Sequence, residues 1–131
     1  MTIRPFNAEA DYPMVCEWWK ARPDWQPLPT DHLSKFGFVA EQDGKPLAVI
    51  WLWLTGTAFA VLDFLVSNPD APPKRKVRAM GELIDYALGI AQRAGAKSVF
   101  SSLKNEGLER FFCKHGFTVT DTGMTNLLAR L

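Results

Sequence analysis

Three groups of residues in this chain have the types and spacing to do chemistry. Lys74, Arg75, Lys76 and Arg78 place four cations within five residues, and Ala79, Met80 and Gly81 follow them into a helical run. A helix start offers unpaired N–H groups and a positive dipole end, so a basic first turn suits an anion. The other reading is a solvated basic face, mildly unfavourable to a helix that prefers acids there. Asp63 sits inside Val61-Leu-Asp-Phe-Leu65, where burying a carboxylate is costly unless it is paired or functional. Asn105 stands ahead of Leu108, Phe111 and Phe112. A helix cap and a packed apolar face account for these four on their own.

The elements that must position these groups follow from periodicity and punctuation. Thr2 to Arg4 predicts a short strand, and Asn7 or Asp11 starts a helix carrying Met14, Val15, Trp18 and Trp19 on one face. Pro23, Pro27 and Pro29 exclude a helix through 23–29, and Thr30 or Asp31 caps a brief helix to Lys35. Residues 36–42 and 46–54 form a hairpin around Asp43-Gly44, since both turn positions tolerate positive φ. The second of these strands is apolar on both faces and therefore central. Ala58 to Val66 is a third strand. From Lys74 to Ala94, the residues Val77, Met80, Ile84, Ala87, Leu88 and Ala91 recur at helical spacing, and Gly95 ends the helix. A strand at 97–102, a helix at 106–114 and an antiparallel pair at 117–120 and 125–130 complete the expected order.

Composition narrows the function classes. A chain of 131 residues fits one domain spanning 1–131 and can bury its own core. A net charge of +1 exerts no general pull on nucleic acid or membrane, and a basic cluster without interleaved aromatics is a poor nucleic-acid surface. The longest apolar run, Leu47 to Leu54, is too short to span a bilayer. Cys16 and Cys113 match no metal spacing and suit a reduced, cytoplasmic protein. No metal is expected.

The stretch from Lys97 to Phe117 resembles the second half of a GNAT N-acetyltransferase. It keeps the order of Asn105, Leu108, Phe111-Phe112, Lys114 and Gly116-Phe117 after a strand. The element order of the rest of the chain is similar to that family as well. The resemblance implies an α/β (α+β) acyl-CoA acyltransferase fold, a mixed, mostly antiparallel sheet flanked by helices. It implies acetyl-CoA as co-substrate and a primary amine of a small molecule or protein as acceptor. It also implies cofactor contacts at Leu65 and Val66, at Arg75, Arg78, Ala79, Met80 and Gly81, and at Asn105, Leu108, Phe111 and Phe112.

Two departures stand out. The family's glycine-rich turn is replaced: with Arg75 in first position, Arg78 and Met80 occupy the small-residue positions, and only the alternative frame from Arg78 keeps a glycine, Gly81. Phe112 stands where the family often has a Tyr that protonates the leaving thiolate, and a phenyl ring cannot donate. For the base that deprotonates the amine, Asp63 is the leading candidate and Glu41 the weaker one. Trp18 and Trp25 flank the connection that the resemblance makes a wall of the acceptor pocket; both serve equally as anchors of that loop. The resemblance also allows a homodimer through residues 125–130.

Overall fold

The fold is described by a computed structural model covering residues 1–131. Its centre is a five-stranded sheet in the order β1 (Thr2–Pro5), β2 (Phe36–Gln42), β3 (Lys45–Leu54), β4 (Phe59–Ser67), β5 (Ser98–Phe100). The first three pairings are antiparallel and β4 with β5 is parallel. The β2–β3 turn forms at Asp43 and Gly44, with φ of 53° and 75°. These are the positive values that a tight hairpin requires.

Each face of the sheet has its own core. On one side lies α1 (Ala8–Lys20), whose Val15, Trp18 and Trp19 meet Val39, Val49, Trp51 and Val66. Trp19 stacks on Trp51 with ring centroids 5.7 Å apart. On the other side lies α2 (Pro73–Arg93), whose Ala79, Leu83, Ile84, Ala87 and Ala91 cover Ala48, Ile50, Leu52 and Leu62. Small residues at 79, 87 and 91 let the helix lie close to the strands. Gly95, with φ of 97°, turns the chain out of α2. α3 (Glu106–Cys113) closes the same side and buries Phe112.

An ion pair fixes how α1 leaves β1. Asn7 caps the helix, its Oδ1 accepting from Ala10 N at 2.9 Å. Arg4 of β1 donates to both oxygens of Asp11, at 2.8 and 2.9 Å, and to Glu41 at 3.1 Å. The Arg4 guanidinium holds the Asp11 carboxyl below the usual carboxylate range, and Arg4 is raised in turn.

The decisive irregularity is in β4. Val49 pairs with Val66, but Trp51 pairs with Asp63, so Ile50 alone faces Phe64 and Leu65. This is a β-bulge. Phe64 accommodates the extra residue at φ of 61°, a conformation costing a non-glycine residue about 1–2 kcal/mol. β5 pairs only with Phe59, Ala60 and Val61. Beyond that point β4 and the chain after β5 diverge.

Three sequence expectations are corrected. The helix at 30–35 is a single 3-10 turn, Thr30–His32. Residues 118–131 form no strand, and Leu127 is 91% exposed. Adjacent Leu127 and Leu128 break the period-two alternation that would give a strand one buried face. β5 itself spans only three residues.

Asp11→Asn should lower stability by about 2 kcal/mol, because Arg4 loses one of its two charged partners, the one it holds bidentately in a half-buried setting. The Asp11 pKa is depressed in the fold, so its contribution is full above the unfolded value of about 3.9 and fades as pH falls through the folded value. Acid denaturation profiles of the two proteins should therefore converge at low pH; a constant offset would contradict the pairing. At the bulge, Phe64→Gly should be more stable than Phe64→Ala by about 1 kcal/mol in urea unfolding. The reverse order would mean that Phe64 is unstrained.

Candidate functional site

The bulge and the short β5 together open a V-shaped split. One wall is the edge of β4 from Leu62 to Ser67, which has no strand partner on the β5 side. The other is the segment 101–105 leading from β5 to α3. Backbone N–H and C=O groups on such an edge can bond an extended, amide-bearing ligand as a further strand would. Asp63 stands at the apex. Its carboxylate accepts from Phe64 N at 2.9 Å, and the backbone N–H of Ser102 lies across the gap, near enough to favour the charged form. Burial pushes its pKa up, against the smaller lowering effect of those two N–H groups. Directly paired residues of an antiparallel ladder share a face, so Asp63 lies with Trp51 on the α1 side of the sheet. Ser101 Oγ, next along the split, is buried without a hydrogen-bond partner.

The loop after β4 leads into the first turn of α2. That turn has no acidic residue and no side-chain cap. Lys74, Arg75 and Arg78 are exposed there, and Lys76 is half-buried, its Nζ donating to Pro69 O at 3.2 Å. Its backbone is less open than its charge. Pro73 has no N–H, and Arg75 N and Lys76 N both donate to Pro72 O, at 3.0 and 3.1 Å. The turn therefore offers charge more than an amide cradle. Arg78 reaches Glu82 only at 3.7 Å and stays on the surface.

Several expected cofactor contacts have other roles. Ala79 is buried against the sheet. Gly81 faces the other helix: a Cβ there would meet the His115 ring at 3.1 Å. His115 is held by Asp85 at 2.8 Å and packs on Phe111 with centroids 4.9 Å apart. Gly81 thus serves helix packing, which a phosphate-loop reading does not anticipate. Met80, Leu108 and Phe111 are half-buried against the same core. Phe112 is 2% exposed and stacks edge-on with Phe117, so its side chain has no surface to give a ligand. The side chains of Leu65 and Val66 are buried too, and only their backbone reaches the split. Asn105 caps α3, its Oδ1 accepting from Gly107 N at 2.7 Å and Leu108 N at 3.2 Å. Its Nδ2 remains free to donate.

Of the acceptor candidates, Trp18 is corrected to a core residue at 6% exposure. Trp25 is half-buried and pinned in the 21–33 connection, which Tyr12 also ties to α1 through a 2.5 Å bond to Leu28 O. Glu41 is committed to Arg4. His32 pairs with Asp31 on the surface. Sequence reasoning missed the strained bulge and Arg22. No glycine marks the bulge, whereas the Arg22-Pro-Asp-Trp25 run could have been read as a charge beside an aromatic ring.

No family model matches the chain, and no curated protein does. Solved structures do match. An Agrobacterium tumefaciens protein carrying a provisional acetyltransferase assignment superposes with a TM-score of 0.73 at 18% identity, over 98% of this chain and 100% of its own. A Mycobacterium tuberculosis protein in complex with CoA gives 0.72 at 18% identity, over 95% of this chain and 76% of that one. The ribosomal-protein-S18-alanine N-acetyltransferase of Escherichia coli gives 0.70 at 17% identity, over 92% and 79%. With the split sheet, the bulged β4 and the helix that follows it, these superpositions establish that the chain has the GNAT acetyltransferase fold.

Proposed function

We propose that the protein is an acetyl-CoA-dependent N-acetyltransferase acting on a primary amine of a small molecule or a protein. The observation that carries this reading is the split, an open backbone edge of β4 with a half-buried carboxylate at its apex. Acetyl-CoA, when bound, supplies an activated acyl group. The edge of Leu62–Ser67 would hold its amide-bearing arm, and the orphan Ser101 Oγ fits a buried polar partner there. Asn105, at the end of the other wall, keeps Nδ2 free to donate to that arm. Lys74, Arg75, Lys76 and Arg78 would meet the phosphates chiefly as charges.

Asp63 is the proposed base. Attack requires a neutral amine, so a carboxylate of raised pKa that accepts the amine proton directly or through one water suits the step. The acceptor would enter from the α1 side, between Asp63 and the Trp25 connection. Phe112 has no proton to give, and the thiolate would leave without a phenol at that position. The reading uses no metal and places the protein in the cytoplasm. No helix is long and apolar enough to cross a membrane.

A second reading rests on the closed first turn of α2 and the buried Phe112. It makes the chain a CoA-binding or protein-binding module without turnover.

Calorimetric titration with acetyl-CoA, with CoA as control, separates the readings in two steps. Binding in the micromolar range is expected. Asn105→Asp keeps the cap but loses the amide donor, and should weaken binding about tenfold. No binding at millimolar acetyl-CoA would remove both the enzyme and the CoA module. With binding in hand, screening amine acceptors decides turnover. Asp63→Asn should then cut kcat by about 100-fold or more while leaving acetyl-CoA affinity within twofold, roughly the general-base range. In the wild type, kcat should rise with pH through an apparent pKa above about 3.9, because Asp63 acts deprotonated and its value is raised. The variant should lack that limb; an unchanged limb would exclude Asp63 as the base.

A further inference from the structure

Arg22 is a charged side chain without a charged partner. It lies just past α1, at the start of the proline-rich connection, and is half-buried. Its Nη1 donates to Trp18 O at 2.9 Å, and its Nη2 to Ser67 O at 3.2 Å and Ser67 Oγ at 3.1 Å. All three acceptors are neutral. It enters none of the chain's ion pairs. Trp25 covers one face, with its ring centroid 5.4 Å from Cζ. A guanidinium has five N–H donors. These three bonds leave Nε–H and one Nη1–H unassigned. Burial works against the charge, lowering the pKa.

The place of this group is as telling as its isolation. Asn68 N donates to Leu47 O at 2.9 Å, so residue 68 faces β3. Ladder groups alternate sides, so the Ser67 carbonyl points the other way, to the unpartnered edge of β4. Arg22 therefore closes the outer end of the split. That end is about 13 Å along the strand from Asp63, at roughly 3.3 Å per residue. The basic first turn of α2 begins six residues after Ser67.

We infer that Arg22, backed by Trp25 and tied to Ser67, is an oxyanion-binding residue at the mouth of the split, taking a phosphate or carboxylate group of a bound molecule. A merely structural staple between α1 and β4 would need hydrogen bonds but no charge. A positive charge kept half-buried against neutral acceptors is stabilised when an oxyanion arrives, by charge-assisted bonds stronger than those it makes now. The anion has two sources, the phosphate end of the acyl donor or an acidic acceptor. Only that choice of source rests on the acetyltransferase reading.

The test uses the full chain with inorganic pyrophosphate and succinate as probes. In the wild type, pyrophosphate or succinate should shift the Arg22 Nε–Hε resonance in a ¹⁵N correlation spectrum. Arg22→Gln should weaken binding of the active probe about tenfold and Arg22→Lys less. If CoA weakens in parallel while pantetheine does not, the anion belongs to the donor. If succinate weakens and CoA is unchanged, it belongs to the acceptor. If neither probe moves the resonance and Arg22→Gln only lowers the thermal midpoint, Arg22 is a staple and the inference fails. These readouts need no turnover, so an inactive enzyme would not be mistaken for an empty site.

Discussion

The molecule turns on the parting of β4 from β5. Five strands with ladders of full length would make a closed sheet, offering a ligand nothing but side chains. The extra residue at Phe64 bends β4 and takes the second half of the strand out of register with its neighbour. The backbone of that half then has an unsatisfied edge, which is normally a liability. Here it is short and flanked by buried side chains. Asp63 stands at the narrow end of the split, accepting from Phe64 N and facing the Ser102 N–H. Its raised pKa follows from the burial that this position entails.

Keeping the bulge requires a rigid surround, which the two cores supply. Trp51 is fully buried and pairs directly with Asp63. Trp19 stacks on it and Phe6 meets it edge-on at 5.1 Å. Gly37 makes room for that indole, since a Cβ there would come within 2.6 Å of Trp51 Nε1. The Trp51 N–H finds no hydrogen-bond partner, a cost accepted where large aromatic contacts fix the strand from the α1 side. On the other side α2 lies flat because its contact residues are small. Strain at Phe64 can persist because both sides over-determine the backbone around it.

What could be read from residues alone divides along physical lines. Asp43-Gly44 was legible because few residue pairs adopt positive φ twice in succession. α2 was legible because its apolar stripe runs for 21 residues and ends at a glycine. The central position of β3 was legible from apolar residues on both its faces. The bulge was not, because its left-handed residue is Phe64, held by tertiary packing rather than by its own preference. The C-terminal pair was over-read, since β-propensity at 125–130 counts only when an edge and a buried face are available. Gly81 and Phe112 show a subtler limit. A motif gives spacing, but helix orientation decides whether a residue at that spacing meets a ligand or a neighbouring helix. Both turn inward, Gly81 to His115 and Phe112 to Phe117.

The charges resolve into two kinds by the same logic. Arg4 is surrounded by acids and completes the α1 start, so it is satisfied without any ligand. Arg22 and the α2 cations Lys74, Arg75 and Lys76 have no acidic partner, and Arg78 reaches Glu82 only at 3.7 Å. The α2 cluster sits against its own helix dipole with no acidic residue in the turn, and Arg22 gives up water for neutral carbonyls. Each placement is unfavourable in the free protein, and they are placed at and just beyond the wide end of one cleft. A bound oxyanion there would relieve helix dipole, surface repulsion and guanidinium desolvation together. A cleft whose narrow end holds a carboxylate of raised pKa and whose wide end gathers an excess of positive charge is polarised along its length. Such a gradient orients a long ligand that is neutral at its reactive end and anionic at the other.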